Sequence, residues 1–237
     1  KSQESTVRDF LSKLDLTKSE PVMSRLKVLF WDIETSPALS AHWGLYDQTI
    51  SKGATVRNAG MLSHAWAWND GQVYSSVLTP KEAIENDYER IVREAWSLLD
   101  NADVVVGQNC KSFDIKRMMS EFIKLDLPPP SPFRVYDTLR VAKRHFKFER
   151  NDLDSLCVTL NIPYRKVKHE GLSLWMKCIQ GDQEALNQMQ EYNVGDIPTL
   201  RAVFKKLLPW DNQGVNFALM GENLNGCPNC GENSLES

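Results

Sequence analysis

Two carboxylates stand at the end of an apolar run near the start of the chain. Asp32 and Glu34 close a run that begins at Leu26 and is apolar on both faces, which is typical of a strand covered on both sides. Residues two apart on a strand share a face, so both carboxylates point the same way. Like charges repel unless a cation compensates, and oxygen-only ligands favour Mg²⁺ or Mn²⁺. The pair predicts a divalent cation site, although a strand that simply ends in solvent would show the same spacing.

Two later clusters add acidic and phenolic groups. Asp114 opens a predicted helix after a short buried strand, where the helix dipole favours its charge. Tyr192 and Asp196 are four residues apart in a helical region, which places the phenol and the carboxylate on one helix face. Gly195 and Pro198 weaken a helix here, so tertiary contacts must hold its geometry. Each cluster alone is also compatible with an ordinary helix start or surface helix.

The elements that position these groups begin with strands. Three early segments have the apolar content typical of strands, and the last two flank Asn69-Asp70-Gly71, a hairpin turn. These predicted strands are 26–33, 61–68 and 72–78. They predict an antiparallel meander.

Helices and shorter strands follow. Thr79 and Glu82 frame a capping box with proline at the first helical position, and one apolar face then runs from Ile84 to Leu99 in a single predicted helix. The pattern further predicts a strand at 104–106, a helix at 115–126, a strand at 133–137 and mostly helical structure up to Leu208, broken at Gly171 and Gly181. This order predicts an α/β fold in which helices flank a sheet with antiparallel and parallel strands.

Composition sets the class of protein. With 237 residues, 42% hydrophobic and 25% charged, the chain is expected to form one main globular domain. No apolar run approaches the roughly 20 residues that span a bilayer, so a cytoplasmic protein without membrane contact is expected. The net charge of −3 gives no global attraction to phosphate, so nucleic acid would be bound by local basic patches and cations.

The two ends of the chain differ in composition from its centre. Residues 1–22 are polar with one helical stretch at 7–14, and we expect them to be an N-terminal extension to a main domain at 23–209. A tail at 210–237 contains Cys227 and Cys230 in a Cys-Pro-Asn-Cys-Gly sequence, which resembles half of a zinc ribbon. Zinc would bind there only if further ligands complete the site. The remaining cysteines lie in apolar or helical stretches and are expected to be buried thiols.

The three clusters, in this order, resemble the sequence motifs of the DEDD exonucleases of the RNase H-like superfamily, which include polymerase proofreading domains and RNase D-like enzymes. The matching positions are Asp32 and Glu34 in Asp-x-Glu, Asn109 with Phe113 and Asp114 in Asn-x-x-x-Phe-Asp, and Tyr192 with Asp196 in Tyr-x-x-x-Asp. The tyrosine at position 192 places the resemblance in the tyrosine subclass, DEDDy. It covers about 26–208, and residues 30–37 are also similar to the YprB-like group of predicted exonucleases in bacteria and phages.

The resemblance implies a metal-dependent 3′–5′ exonuclease with an RNase H-like fold. In such sites two divalent cations, Mg²⁺ or Mn²⁺, lie about 3.5–4 Å apart and stabilise the attacking and leaving oxygens of an in-line displacement. The implied ligands are Asp32, Glu34, Asp114 and Asp196. Tyr192 would orient the attacking water, since an unperturbed phenol is a poor general base at neutral pH. The implied substrate is a nucleic acid 3′ end, with single-stranded DNA favoured.

Residues close in sequence to the carboxylates are candidates for binding the terminal nucleotide. They are Thr35, Trp43, Asn109 and Phe113, of which Phe113 fits core packing equally well. Basic residues that either track the nucleic acid backbone or form solvated helix faces are Lys111, Lys116, Arg117 and the run at 143–147.

Two alternatives share these features. An RNase D-like RNA exonuclease would carry the same five residues and differ only in contacts to the 2′-hydroxyl. A replication or repair complex is a further candidate partner of the enzyme. A catalytically silent RNase H-like scaffold would instead bind nucleic acid or a polymerase partner without cutting. Four converging carboxylates would only destabilise such a scaffold, which favours an enzyme. A bacterial cytosol or a phage-infected host would suit the resemblance.

Overall fold

The computed structural model describes residues 25–44, 49–163, 171–223 and 225–231. The predicted helical stretch at 7–14 lies outside these residues.

A mixed sheet forms the centre of the molecule. Its strands, together with a short separate ribbon of β2 and β3, are β1 (Val28–Thr35), β2 (Leu39–Ser40), β3 (Thr55–Arg57), β4 (Met61–Trp68), β5 (Val73–Val77), β6 (Val104–Gly107) and β7 (Arg134–Asp137). Within the described residues the main sheet has the order β5-β4-β1-β6-β7, with β5, β4 and β1 antiparallel and β1, β6 and β7 parallel. The predicted mixed α/β architecture is confirmed, while the β2–β3 ribbon was not predicted.

The central strand β1 is buried on both faces, as its apolar run predicts. Leu29, Trp31 and Ile33 pack in one apolar cluster, while Val28 and Phe30 pack in the other. Asp32 and Glu34 continue the face of Phe30 beyond the point where apolar residues stop.

Helices cover both faces of the sheet. They are α1 (Pro80–Glu85), α2 (Glu89–Asp100), α3 (Asp114–Lys124), α4 (Thr138–His145), α5 (Leu153–Thr159), α6 (Leu172–Ile179), α7 (Gln183–Leu207) and α8 (Phe217–Met220). The capping box is present, since Thr79 Oγ1 accepts from Glu82 N–H and Glu82 Oε2 accepts from Thr79 N–H.

The single helix predicted after Thr79 is wrong, because α1 and α2 are separate. Asn86 ends α1 in the left-handed conformation with φ 56°, and Tyr88 precedes α2. Ile84, which the pattern placed on the buried face, is 60% exposed. Asn86 Oδ1 accepts from Arg57, so a contact distant in sequence holds the break.

The long helix α7 crosses the sheet and continues through Pro198. The ring of Phe204 meets Phe30 edge-on at 5.3 Å, and Ile197 and Leu200 are buried in the same apolar cluster. Thr199 Oγ1 donates to the carbonyl of Gly195 one turn back. Packing therefore maintains a helix that Gly195 and Pro198 weaken.

The segment after α7 packs on the core although its composition is polar. Phe217 is fully buried and lies 6.1 Å from the ring of Phe204. Asp211 is also buried and accepts from Arg144 and His145 of α4, both at 3.2 Å. The boundary at 209/210 stays a prediction, but the first part of the predicted tail contributes to the core.

Candidate metal centre

Three carboxylates meet where β1 and α7 cross. Asp32, Glu34 and Asp196 each offer a carboxylate oxygen, and these oxygens lie within 4.8 Å of one another. Strand period brings the first two to one face, and the packing of α7 on that face adds the third. Hard oxygen donors at this spacing fit a divalent cation such as Mg²⁺ or Mn²⁺.

Asp114 lies beside this group, but it is not among the carboxylates whose oxygens are within 4.8 Å of one another. It is the first residue of α3 and 4% exposed, and its Oδ1 accepts from the N–H of Ile33 at 3.3 Å. That amide lies between the two carboxylates of β1. Burial raises the pKa of Asp114 to about 7, against the lowering effect of its backbone hydrogen bonds. A cation close by would oppose this increase.

Asp137 holds the loop between β6 and α3 through hydrogen bonds to the loop backbone. This buried carboxylate, at the end of β7, accepts from the backbone N–H of Asn109 at 3.0 Å and of Lys111 at 3.1 Å. Asn109 adopts φ 58°, and a Cβ at Gly107 would lie 2.5 Å from the Cβ of Cys110. The loop thus needs glycine and the Asp137 contact to bring Asp114 to β1.

The sequence analysis did not identify Asp137 or Asn193 as residues that support the site. The signal for Asp137 was its position at the end of a strand parallel to β6, where the ends of both strands meet. Asn193 lies three residues before Asp196, so both lie on one side of α7, and its Nδ2 donates to Asp32 Oδ2 at 2.8 Å.

Tyr192 is placed one helical turn before Asp196, as its spacing predicted. Its side chain is 7% exposed and meets Trp175 of α6 edge-on, with 6.1 Å between ring centroids. The aromatic ring therefore sits in a packed, apolar setting against α6, one helical turn before Asp196. Its role as an orienting group stays a prediction.

The candidate substrate residues are placed differently from one another. Asn109 lines a cavity of about 430 Å³ that also contains Asp32, Gln108, Leu139, Asp152, Leu153 and Asp154. Trp43 is fully exposed and Phe113 is 46% exposed, so the core-packing interpretation of Phe113 is wrong. Thr35 is half-buried after an irregularity in the β1–β4 register.

Several basic residues have structural partners. Arg117 donates to the carbonyl of Ala59 and pairs with Glu121 at 3.2 Å. Arg144 and His145 hold Asp211, as described above. Four lysines among the basic candidates are exposed, namely Lys111, Lys116, Lys143 and Lys147. The basic residues therefore divide between fold stabilisation and an accessible surface.

The C-terminal cysteines are half-buried in a turn. The N–H of Gly231 donates to the carbonyl of Cys227 at 2.6 Å, and Gly231 adopts φ 76°. Within the described ranges, the group of potential metal ligands is the carboxylate group and does not include Cys227 or Cys230. Zinc binding at this turn stays a prediction.

The chain belongs to the RNase H superfamily, whose family model matches residues 29–208. That match contains α3, α7 and all of β1 except its first residue, and thus Asp32, Glu34, Asp114 and Asp196. Membership indicates a nuclease.

Among solved structures, the chain is similar to the family B DNA polymerase from the hyperthermophilic archaeon Pyrobaculum calidifontis, with a TM-score of 0.59 and 17% identity. The likeness covers 86% of this chain and 26% of the polymerase, so this chain corresponds to about a quarter of that protein. At this identity the likeness supports the fold alone. No curated protein sequence matches the chain. In the part of the chain that the structure describes, every helix is too short or too polar to cross a bilayer.

Proposed function

We propose that this chain is a metal-dependent 3′–5′ exonuclease of the tyrosine subclass of DEDD enzymes, similar to the YprB-like group, that cuts single-stranded DNA. The observation that carries the proposal is the meeting of Asp32, Glu34 and Asp196 within 4.8 Å, beside buried Asp114. Carboxylates so close repel one another and favour a bound divalent cation. The resemblance of all three motifs supplies the reaction.

Each side chain then has a role. Asp32, Glu34 and Asp196 would hold the cations, and Asp114, which accepts from the N–H of Ile33, would complete the set. Bound Mg²⁺ or Mn²⁺ supplies Lewis acidity toward the phosphodiester and a water of lowered pKa. Tyr192, one turn from Asp196, would orient the attacking water through its hydroxyl.

The cavity beside Asp32 has the volume of a small-molecule site and would receive the terminal nucleotide. Asn109 offers an amide donor and acceptor, while the amide of Gln108 bonds to Asn151 and Thr138 and shapes the wall, and Leu139 and Leu153 offer apolar surface. Trp43 and Phe113, both accessible, would stack on bases outside this cavity. Contacts to a 2′-hydroxyl would separate RNA from DNA as the substrate, and the digestion described next compares the two.

Digestion of 5′-labelled oligonucleotides tests the proposal. Single-stranded DNA, duplex DNA and RNA of one sequence are incubated with Mg²⁺, Mn²⁺ or EDTA, and a 3′ phosphorothioate and a circular DNA test the direction of cutting. We expect a ladder on linear single-stranded DNA, lost with EDTA and with the 3′ block, and no cutting of the circle. A ladder on RNA alone would favour an RNase D-like enzyme, and binding without cleavage would favour the silent scaffold.

Two variants control for the site. Asp114→Asn keeps an oxygen for the Ile33 amide and removes the charge, so activity should fall by about 1,000-fold while the protein stays folded. Asp70→Asn changes an exposed carboxylate in the turn at the other end of β4 and should leave the ladder unchanged. Equal activity in both variants would contradict the proposal.

A further inference from the structure

A buried chain of hydrogen bonds connects the sheet to the metal centre. Ser63 Oγ of β4 donates to Asn193 Oδ1 of α7 at 3.1 Å, and Asn193 Nδ2 donates to Asp32 Oδ2 at 2.8 Å. Both Ser63 and Asn193 are fully buried. These two hydrogen bonds therefore connect Ser63 with Asn193, 130 positions away in sequence, and end on the Asp32 carboxylate of the candidate site.

The position of these residues follows from strand register and helix period. Ser63 is paired with Glu34 across β1 and β4, so it lies on the carboxylate face of the sheet. Ala65 and Ala67 follow it on that face, and their small side chains allow α7 to pack closely. Asn193 therefore reaches the sheet about one helical turn before Asp196.

The chemistry fixes the direction of both bonds. An amide offers two donors and one acceptor, and a carboxylate only accepts. If the amide of Asn193 were reversed, its oxygen would face the oxygen of Asp32. Nδ2 must therefore face Asp32, which turns Oδ1 toward Ser63 and requires the hydroxyl to donate. Aspartate at position 193 would bring a further negative charge, and leucine would offer no donor.

Stability alone does not require this polar pair. Ala65, Ile197 and Phe204 already pack α7 on the sheet, and burying an amide costs free energy that hydrogen bonds only offset. Groups that hold a metal ligand in place typically change metal affinity by about 10–100-fold when removed. The buried amide has the properties of such a group.

We propose that Asn193, itself held by Ser63, is a positioning residue that fixes the rotation of the Asp32 carboxylate for cation binding. This inference rests on the proposed function, because it assigns a cation to Asp32. Loss of the amide lets the carboxylate rotate, which weakens cation binding more than it weakens the fold.

Mn²⁺ titration by calorimetry tests this inference independently of catalysis. The proteins compared are the full chain, Asn193→Leu, Ser63→Ala and the matched control Asn187→Leu, which changes an exposed asparagine of the same helix. We expect Asn193→Leu to raise the Kd for Mn²⁺ by about 10–100-fold and Ser63→Ala to raise it by about threefold or more. Asn187→Leu should match the unchanged protein.

Nuclease assays over a range of Mg²⁺ concentrations supply the second readout. The activity deficit of Asn193→Leu should shrink as Mg²⁺ rises, since a misplaced ligand mainly lowers affinity. An unchanged Kd and an unchanged Mg²⁺ dependence would overturn the inference while leaving the proposed function intact. Failure of the unchanged protein to bind Mn²⁺ would overturn both.

Thermal unfolding in EDTA shows whether each variant is folded. Should Asn193→Leu fail to fold, Ser63→Ala decides, because it removes only a hydroxyl. A raised Kd in a folded Ser63→Ala protein supports the inference, and a Kd equal to that of the unchanged protein overturns it.

Discussion

The two faces of the β1–β4 strand pair carry polar clusters of opposite design. On one face Ser63 meets Asn193 of α7, and three carboxylates gather within 4.8 Å. On the other face, one residue further along β4, His64 meets Glu94 of α2. Arg90 there pairs with Glu82 at 2.8 Å and with Glu94 at 3.2 Å.

The two clusters contribute differently: one stabilises the fold, and the other is arranged for function. On the α2 face, positive and negative groups alternate, so the cluster stabilises the fold. On the α7 face like charges are held together, which opposes folding and is typical of functional sites. The comparison makes opposite predictions for variants on the two faces.

The largest effect is expected on the α7 face from Asp196→Asn. This substitution keeps the shape of the side chain and removes one charge, so kcat should fall by about 1,000-fold or more. Relief of repulsion in the metal-free protein should raise the unfolding temperature in EDTA by about 2–4 °C. Oligonucleotide digestion and thermal unfolding measure the two effects.

Glu94→Gln is the matching change on the other face. It also neutralises a carboxylate, but one that accepts from His64, so activity should persist and the unfolding temperature should not rise. Equal behaviour of the two variants in both assays would remove the distinction between the faces.

The second largest effect is expected from metal binding on the α7 face, which should raise the free energy of unfolding. At Mn²⁺ concentrations near 100 times Kd, a single site adds about 2.7 kcal/mol to the free energy of unfolding. For a chain of this length the unfolding temperature should rise by about 5–10 °C. Asp196→Asn should reduce this increase, and an increase of the same size in that variant would indicate binding elsewhere.

Acid should weaken the α2 face. Burial lowers the pKa of His64, and the hydrogen bond from His64 is the main reason that the pKa of Glu94 falls to about 2. Trp31 Nε1–H donates to His64 Nδ1 at 3.3 Å, so the neutral ring carries its proton on Nε2, toward Glu94. Below pH 6.5 the unfolded chain binds a proton that the folded chain resists, and stability declines as pH falls toward the folded pKa.

Urea unfolding between pH 7.5 and 5 measures this decline. The His64 contribution has a maximum slope of about 1.4 kcal/mol per pH unit. His64→Gln should flatten the curve in this range, whereas His42→Gln, at an exposed histidine, should not. Titration of His64 by NMR gives a second measurement, and a pKa above 6.5 would contradict the prediction.

Local sequence rules account for much of the fold and part of the site. Strand period placed Asp32 and Glu34 on one face, and helix period placed Tyr192 and Asp196 on one side of α7. The triple valine predicted the buried strand β6, and the structure pairs it parallel with β1. These features depend on neighbours within a few residues.

The structural features that the sequence analysis did not predict depend on contacts between residues distant in sequence. The break at Asn86 is held by Arg57, and the bond from Ser63 to Asn193 spans 130 positions. Neither follows from period or propensity, because each requires two surfaces to meet in a particular register. Asp137 also binds a loop that only the parallel pairing of β6 and β7 brings near it.

The smallest effects are expected from removing the guanidinium groups of α2, with Arg90→Met the larger of the two and Arg93→Met the smaller. The guanidinium of Arg90 donates to both carboxylate oxygens of Glu82 and to Ser76, and methionine keeps the apolar stem while removing every donor. Because the side chain is 42% exposed, solvent screening limits the loss to about 1 kcal/mol, or about 2–4 °C in unfolding temperature. Arg93→Met removes an exposed pair with Glu89 one turn apart and should cost less than about 0.5 kcal/mol. Thermal unfolding ranks the two, and nuclease activity should be unchanged in both. Loss of activity in Arg90→Met at a temperature where it is folded would show that the two faces are coupled.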